Sequence, residues 1–225
     1  MNTLLIRLEG PLQSWGSRSR FGERDTEREP TKSGIIGLLC AALGRDRDAP
    51  LEDLVTLSFG VRVDCEGKLE RDFQTALDVR KSDSPKTDTV MSNRYYLSDA
   101  VFLVGLASDN LELLQEIDGA LQAPRWPLFL GRKSYVASAP VRLPDGLRNS
   151  EDLEQALRSY PVLRATRSGL GRRRLVLECS ASEDGEERAD VPASFASGHR
   201  RFGLRRVRTA FMEAPAAAGG TTRCS

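Results

Sequence analysis

This 225-residue chain predicts a mixed α+β fold, and three observations point to it. A short apolar run opens the sequence and is followed, after a break, by a helix-patterned stretch that stops at a glycine. A second helix-patterned stretch follows "AVFLVGLAS", the most continuous apolar run in the chain. Alternating, β-prone segments with turn signals fill the intervals, so the order reads strand, helix, strand, strand, helix.

In chain order, residues 3–8 form a short buried strand that ends at Gly10-Pro11. Ser33 is placed to cap a helix over "GIIGLLCAALG", which Gly44 terminates. "LSFGVRVDCEG" alternates as a half-buried strand does, with a turn at Glu66-Gly67, and "LERDFQTALDV" offers a second strand to pair with it. "RKSDSPKTDTVMSNR" is polar, holds Pro85 and shows no period, which predicts a mobile loop or an inserted arm. "NLELLQEIDGALQ" is an amphipathic helix capped by Asn110 or Asp109, and a last strand near "YVASAPVRL" completes a β-α-β-β-α-β unit. That series is the ferredoxin-like or RRM-like topology. The predicted division is a first domain over 1–145 with an arm inserted at about 80–98. A smaller β-rich part follows over 146–213, with one short helix, and a low-complexity, disordered tail over 214–225.

Composition excludes several classes. No apolar run approaches membrane-spanning length, and the N-terminus lacks a basic leader, so a cytoplasmic protein with no membrane partner is expected. Four scattered cysteines without a C-x-x-C pair and a single histidine, His199, argue against a metal centre and imply no cofactor. Net charge is only +1, but arginines cluster: five between Arg164 and Arg174, and five more between His199 and Arg208, without an acid in either run. Guanidinium groups suit bidentate phosphate contacts and stacking on bases, and they are equally at home on a solvated surface.

Three places could carry chemistry. Lys32, Ser33 and Gly34 stand at a helix N-terminus, where backbone N–H groups favour an anion, although a plain capped helix reads the same way. "RWPLFLGRKSYVAS" interleaves Phe129 and Tyr135 with Arg132, Lys133 and Ser134 around Gly131, a pattern suited to single-stranded RNA or to ordinary packing. Trp15 reads as a base-stacking platform or as a hydrophobic plug. No nucleophile motif surrounds His199, and no carboxylates fall at a magnesium-site spacing.

"LLIRLEGPLQSWGSRSRF" followed by "PTKSGIIGLLCAALG" resembles the start of the CasD family of type I-E CRISPR Cascade complexes, within the RAMP superfamily. "NRYYLSDAVFLVGL", "PLFLGRKSYVASAP" and "VPASFASGHRRF" match the same family in order, so the resemblance covers all but the tail. It implies a non-catalytic subunit in antiviral defence that binds the 5′ handle of the CRISPR RNA. Such a subunit joins the CasA large subunit to the CasC backbone, alongside the other Cascade subunits, and meets target DNA only through the complex. The arm would act as a thumb, with Arg94 contacting the handle. Lys32 and Ser33 would sit by phosphates, while Phe129, Arg132, Lys133, Ser134 and Tyr135, with Trp15 and Arg20, would complete the RNA-binding set. The alternative is a metal-independent endoribonuclease that processes precursor CRISPR RNA, which requires an acid–base pair that the sequence does not display.

Overall fold

The computed structural model describes residues 1–17, 22–80, 86–164 and 172–213. In chain order the elements are β1 (Asn2–Glu9), β2 (Leu12–Gln13), β3 (Glu23–Arg24), α1 (Lys32–Leu43), α2 (Glu52–Val55), β4 (Ser58–Cys65), β5 (Lys68–Arg80) and β6 (Thr87–Ser98). Then come β7 (Val101–Ser108), α3 (Leu111–Gln122), β8 (Arg142–Arg148), α4 (Leu153–Ser159), β9 (Arg173–Cys179), β10 (Glu186–Ser194) and β11 (Arg201–Met212).

Seven strands form one sheet in the order β10-β11-β9-β4-β7-β1-β8, and every neighbouring pair is antiparallel. The central strands are apolar throughout because both faces are covered. Leu4, Ile6, Leu8, Phe102 and Val104 bury against α1 and α3, whereas Leu5 and Leu103 bury against Leu157 of α4. The short helix α4 lies very close to the sheet: a Cβ on Gly105 would fall 2.6 Å from the Leu153 side chain. Among the described residues no helix is long and apolar enough to cross a membrane.

Four expectations need correction. The cap of α1 is Thr31, two residues before Ser33; its side chain accepts from Gly34 N, and Gly44 closes the helix with a left-handed φ of 74°. The helix starts early because the distant Asp190 carboxylate accepts from Lys32 N at 2.9 Å. The closing strand is β8, which begins after the "YVASAP" segment. The strands after 146 do not make a sheet of their own, since β9 pairs with β4 and extends the first sheet. Finally, β5 pairs with β6 from Lys68↔Ser98 to Arg80↔Thr87, not with β4, and of the stretch read as a mobile loop or an inserted arm, residues 87–94 belong to strand β6 of a long hairpin. β2 and β3 pair with the other edge of β6 at the hairpin base. The arm therefore starts at Lys68, and its polar segment 81–85 and the tail 214–225 lie outside the described residues.

Candidate nucleic-acid interface

A cleft of about 780 Å³ runs along the outer side of α1. Ser33, Gly34, Gly37 and Ala41 form its floor; Trp126, Phe129 and Lys133 line one wall, and Phe195, Arg200 and Phe202 the other. The first wall hangs on the helix it faces. Arg125 N and Trp126 N donate to Ala42 O and Ala41 O at 2.9 and 3.0 Å, which satisfies carbonyls in the last turn of α1. Further along, Ser14 N donates to Leu130 O at 3.0 Å and Leu130 N to Tyr135 O at 2.7 Å. Gly131 is required there: its φ is 96°, and a Cβ would fall 1.8 Å from Ser14 O. Leu130 is thereby pulled into the core, leaving Phe129 half-buried at the cleft. The second wall is the turn between β10 and β11, closed by His199 N donating to Ala196 O at 3.0 Å and by Gly198 at a φ of 75°.

The cleft carries cations that the fold leaves exposed. Lys133, Arg47 and Arg200 line it and are exposed, and none has an ion-pair partner among the described residues. Asp46 also lines it, and Arg45 is held by Asp53 at 2.7 Å. Most of the clustered arginines, by contrast, have internal partners. Arg174 pairs with Glu29 at 2.6 Å and with Glu66 at 2.9 Å, and Arg188 closes on the other oxygen of Glu29. Arg205 holds Asp190 at 2.5 Å, and Arg208 holds Glu154. Burial would raise the Glu29 pKa, but the attraction of Arg188 and Arg174 outweighs it and holds the carboxyl below its ordinary 4.5. These pairs fasten β9 and β10 to the first half of the chain and β11 to β10 and α4; they do not form an open positive face.

The sequence-predicted residues divide accordingly. Ser33, Phe129 and Lys133 meet at the cleft. Lys32 does not: its side chain is buried and donates to Glu178 Oε1 at 2.9 Å, while Asp190 occupies the anion position at the helix end. No free helix terminus is left there for a phosphate. Trp15 touches the cleft but is 1% exposed, with Nε1 donating to Gln13 Oε1 and its ring under Gly34, so it is a plug in the core. Arg132 is a brace. It donates to Tyr135 Oη at 2.9 Å, Arg24 O at 3.2 Å and Tyr95 O at 2.8 Å, tying the loop to β3 and β6. Tyr135 is buried, 6.1 Å from the Tyr96 ring, and Ser134 is exposed outside the cleft lining. Arg94 sits at the hairpin base, opposite Asp72 and Arg24, with Nε donating to Ser92 Oγ at 3.2 Å. Arg20 lies outside the described residues. Sequence reasoning did not single out Arg47, Trp126, Phe195, Arg200 or Phe202, although "FASGHRRF" repeats the aromatic–glycine–basic pattern of the first wall.

The model of the Cas5 family of CRISPR-associated proteins matches residues 3–208. The "CRISPR system Cascade subunit CasD" of Escherichia coli (strain K12) is 35% identical over 173 residues, covering 70% of this chain and 76% of that protein. Two solved structures superpose along almost the whole length. One, titled "Crystal structure of Cas protein", has a TM-score of 0.76 at 46% identity, covering 94% of this chain and 95% of that one. The other, titled "CRISPR RNA-guided surveillance complex", has a TM-score of 0.78 at 33% identity, covering 95% and 91%. With a family match over residues 3–208 and a relative 35% identical over 70% of the chain, the chain belongs to the Cas5/CasD family of CRISPR-associated proteins.

Proposed function

We propose that the protein is the CRISPR RNA-binding subunit of a type I-E Cascade surveillance complex and that the α1 cleft holds the 5′ handle of the guide. The carrying observation is the cleft itself, in which flat aromatic faces line a floor of small residues beside cations that have no ion-pair partner among the described residues. Single-stranded RNA needs those features: platforms for unstacked bases, and cations that follow the backbone. Similarity to a Cascade subunit CasD and to a chain of a CRISPR RNA-guided surveillance complex supports the assignment to such a complex. In this reading the β5–β6 hairpin is the thumb. It reaches across the guide toward the neighbouring CasC subunit, with Arg94 at its root, and the large subunit CasA docks alongside.

The role is structural, not catalytic. His199 sits in an exposed turn, and no hydrogen bond joins its ring to an acid or base among the described residues. The test is competition binding by the reconstituted complex. A guide carrying its 5′ handle should outcompete one with the handle removed. Changing Phe129 and Lys133 together to Ala should erase most of that difference, whereas equal binding of the two guides would remove the handle assignment. Site-specific cutting of precursor RNA by the purified chain, abolished by His199→Ala, would favour the endoribonuclease reading.

A further inference from the structure

The second arginine-rich run, residues 199–208, contains residues of two kinds. Arg205, Arg206 and Arg208 point inward, to Asp190, Gly185 O and Glu154 respectively. Arg200 and Phe202 do the opposite. Arg200 is exposed without an ion-pair partner among the described residues, and Phe202, the second residue of β11, is 45% exposed. Both face the α1 cleft, across from Phe129 and Lys133. An exposed apolar ring on its own needs no explanation, but Phe202 shares the cleft lining with Trp126, Phe129 and Phe195, and a contiguous aromatic patch rimmed by cations is the mark of a binding surface.

Gly37 supplies an independent observation. It sits inside α1, where glycine is unfavourable relative to alanine by about 1 kcal/mol. Gly34 has an internal reason, because a Cβ there would meet the Trp15 ring at 2.8 Å. Gly37 has none: a Cβ would lie 3.9 Å from Phe195 Cζ, an ordinary contact. The fold could accept a methyl group at Gly37, so the space above this glycine is free for something outside the chain.

We infer that the turn between β10 and β11 is a nucleotide-binding wall. An unstacked nucleotide of single-stranded RNA lies over Gly37, its base against the Phe202 ring and its phosphate on the Arg200 guanidinium, facing the Phe129–Lys133 wall. The occupant follows from the charge of the cleft and from its continuity with the proposed handle site, and the inference rests on that assignment. It gives the wall at residues 195–202 a defined occupant and makes Gly37 a positioning residue.

The experiment compares Gly37→Ala, Phe202→Ala, Arg200→Ala and Lys133→Ala in the reconstituted complex, reading guide-RNA affinity together with the thermal midpoint of the free chain. Phe202→Ala should weaken binding about tenfold with an unchanged midpoint, since stacking on an exposed ring is lost. Arg200→Ala should lower the salt slope by about one. Gly37→Ala should raise the midpoint while weakening RNA binding, opposite signs that a merely structural glycine would not give. If Lys133→Ala weakens binding while the other three match wild type, RNA uses the cleft but not this wall, and the inference fails alone. If none of the four matters for RNA, the handle assignment fails with it. If Phe202→Ala instead lowers only the subunit content of the complex, the wall takes a protein and the inference is overturned.

Discussion

Replacing Arg132 by Ala should release the root of the hairpin. The guanidinium makes hydrogen bonds to Tyr135 Oη, Arg24 O and Tyr95 O at 2.9, 3.2 and 2.8 Å, and stands 5.4 Å from the Tyr135 ring centroid. Hydrogen bonds to a charged group contribute about 1.5–3 kcal/mol each, and the cation–π contact about 0.5–1. Arg132 is half-exposed and its bond to Arg24 O is open to solvent, so we discount the total to about 3 kcal/mol. The loss falls on the paired strands at the hairpin root, because Arg24 belongs to β3 and Tyr95 to β6. Hydrogen exchange in the free protein is the assay. Amides of residues 93–97 should exchange roughly a hundredfold faster in Arg132→Ala, while those of β1 and β7 stay at wild-type rates. Arg132→Lys should recover only part of the protection, since an ammonium cannot reproduce the fork. Wild-type exchange at 93–97 in Arg132→Ala would refute the brace.

Glu29→Gln should destabilise the fold by about 3 kcal/mol, because two guanidinium groups lose their shared carboxylate in a buried site. The folded pKa of Glu29 lies below its ordinary 4.5, so its contribution is complete above that value and is lost as pH falls through the depressed folded pKa. Acid titration of stability should therefore show an extra loss below 4.5 in wild type that is absent from Glu29→Gln. Lys32→Ala and Lys133→Ala should part company. The first should lower the thermal midpoint without changing the salt slope of RNA binding, and the second should lower the slope by about one at an unchanged midpoint.

Local signals made much of the fold legible. Gly44 and Asn110 mark helix ends because αL geometry and side-chain capping are encoded in the residues at those positions. The start of α1 escaped because two adjacent hydroxyls, Thr31 and Ser33, could each cap it, and the carboxylate that accepts from Lys32 N belongs to Asp190, 158 positions away. Strand β6 escaped because its outer half is exposed on both faces, so pairing and not burial fixes it, and no alternation is left to read. The sequence left the arginine clusters open between phosphate contacts and solvated surface for a related reason: the acid that neutralises Arg174, Glu29, lies 145 positions away, so pairing across the fold is not visible along the chain. At the site, Phe129 and Lys133 were readable from basic–aromatic interleaving around Gly131. The second wall was not, since only the sheet order brings residues 195–202 to face α1.

Photocrosslinking of the assembled complex tests the central claim most directly, with guide RNA carrying 4-thiouridine at single handle or spacer positions and the crosslinked peptides identified by mass spectrometry. Handle positions should label peptides containing residues 126–133 and 195–202, and spacer positions should not. Handle crosslinks confined to the α4 face of the sheet, or equal labelling of the cleft by spacer positions, would contradict a cleft built for the 5′ handle.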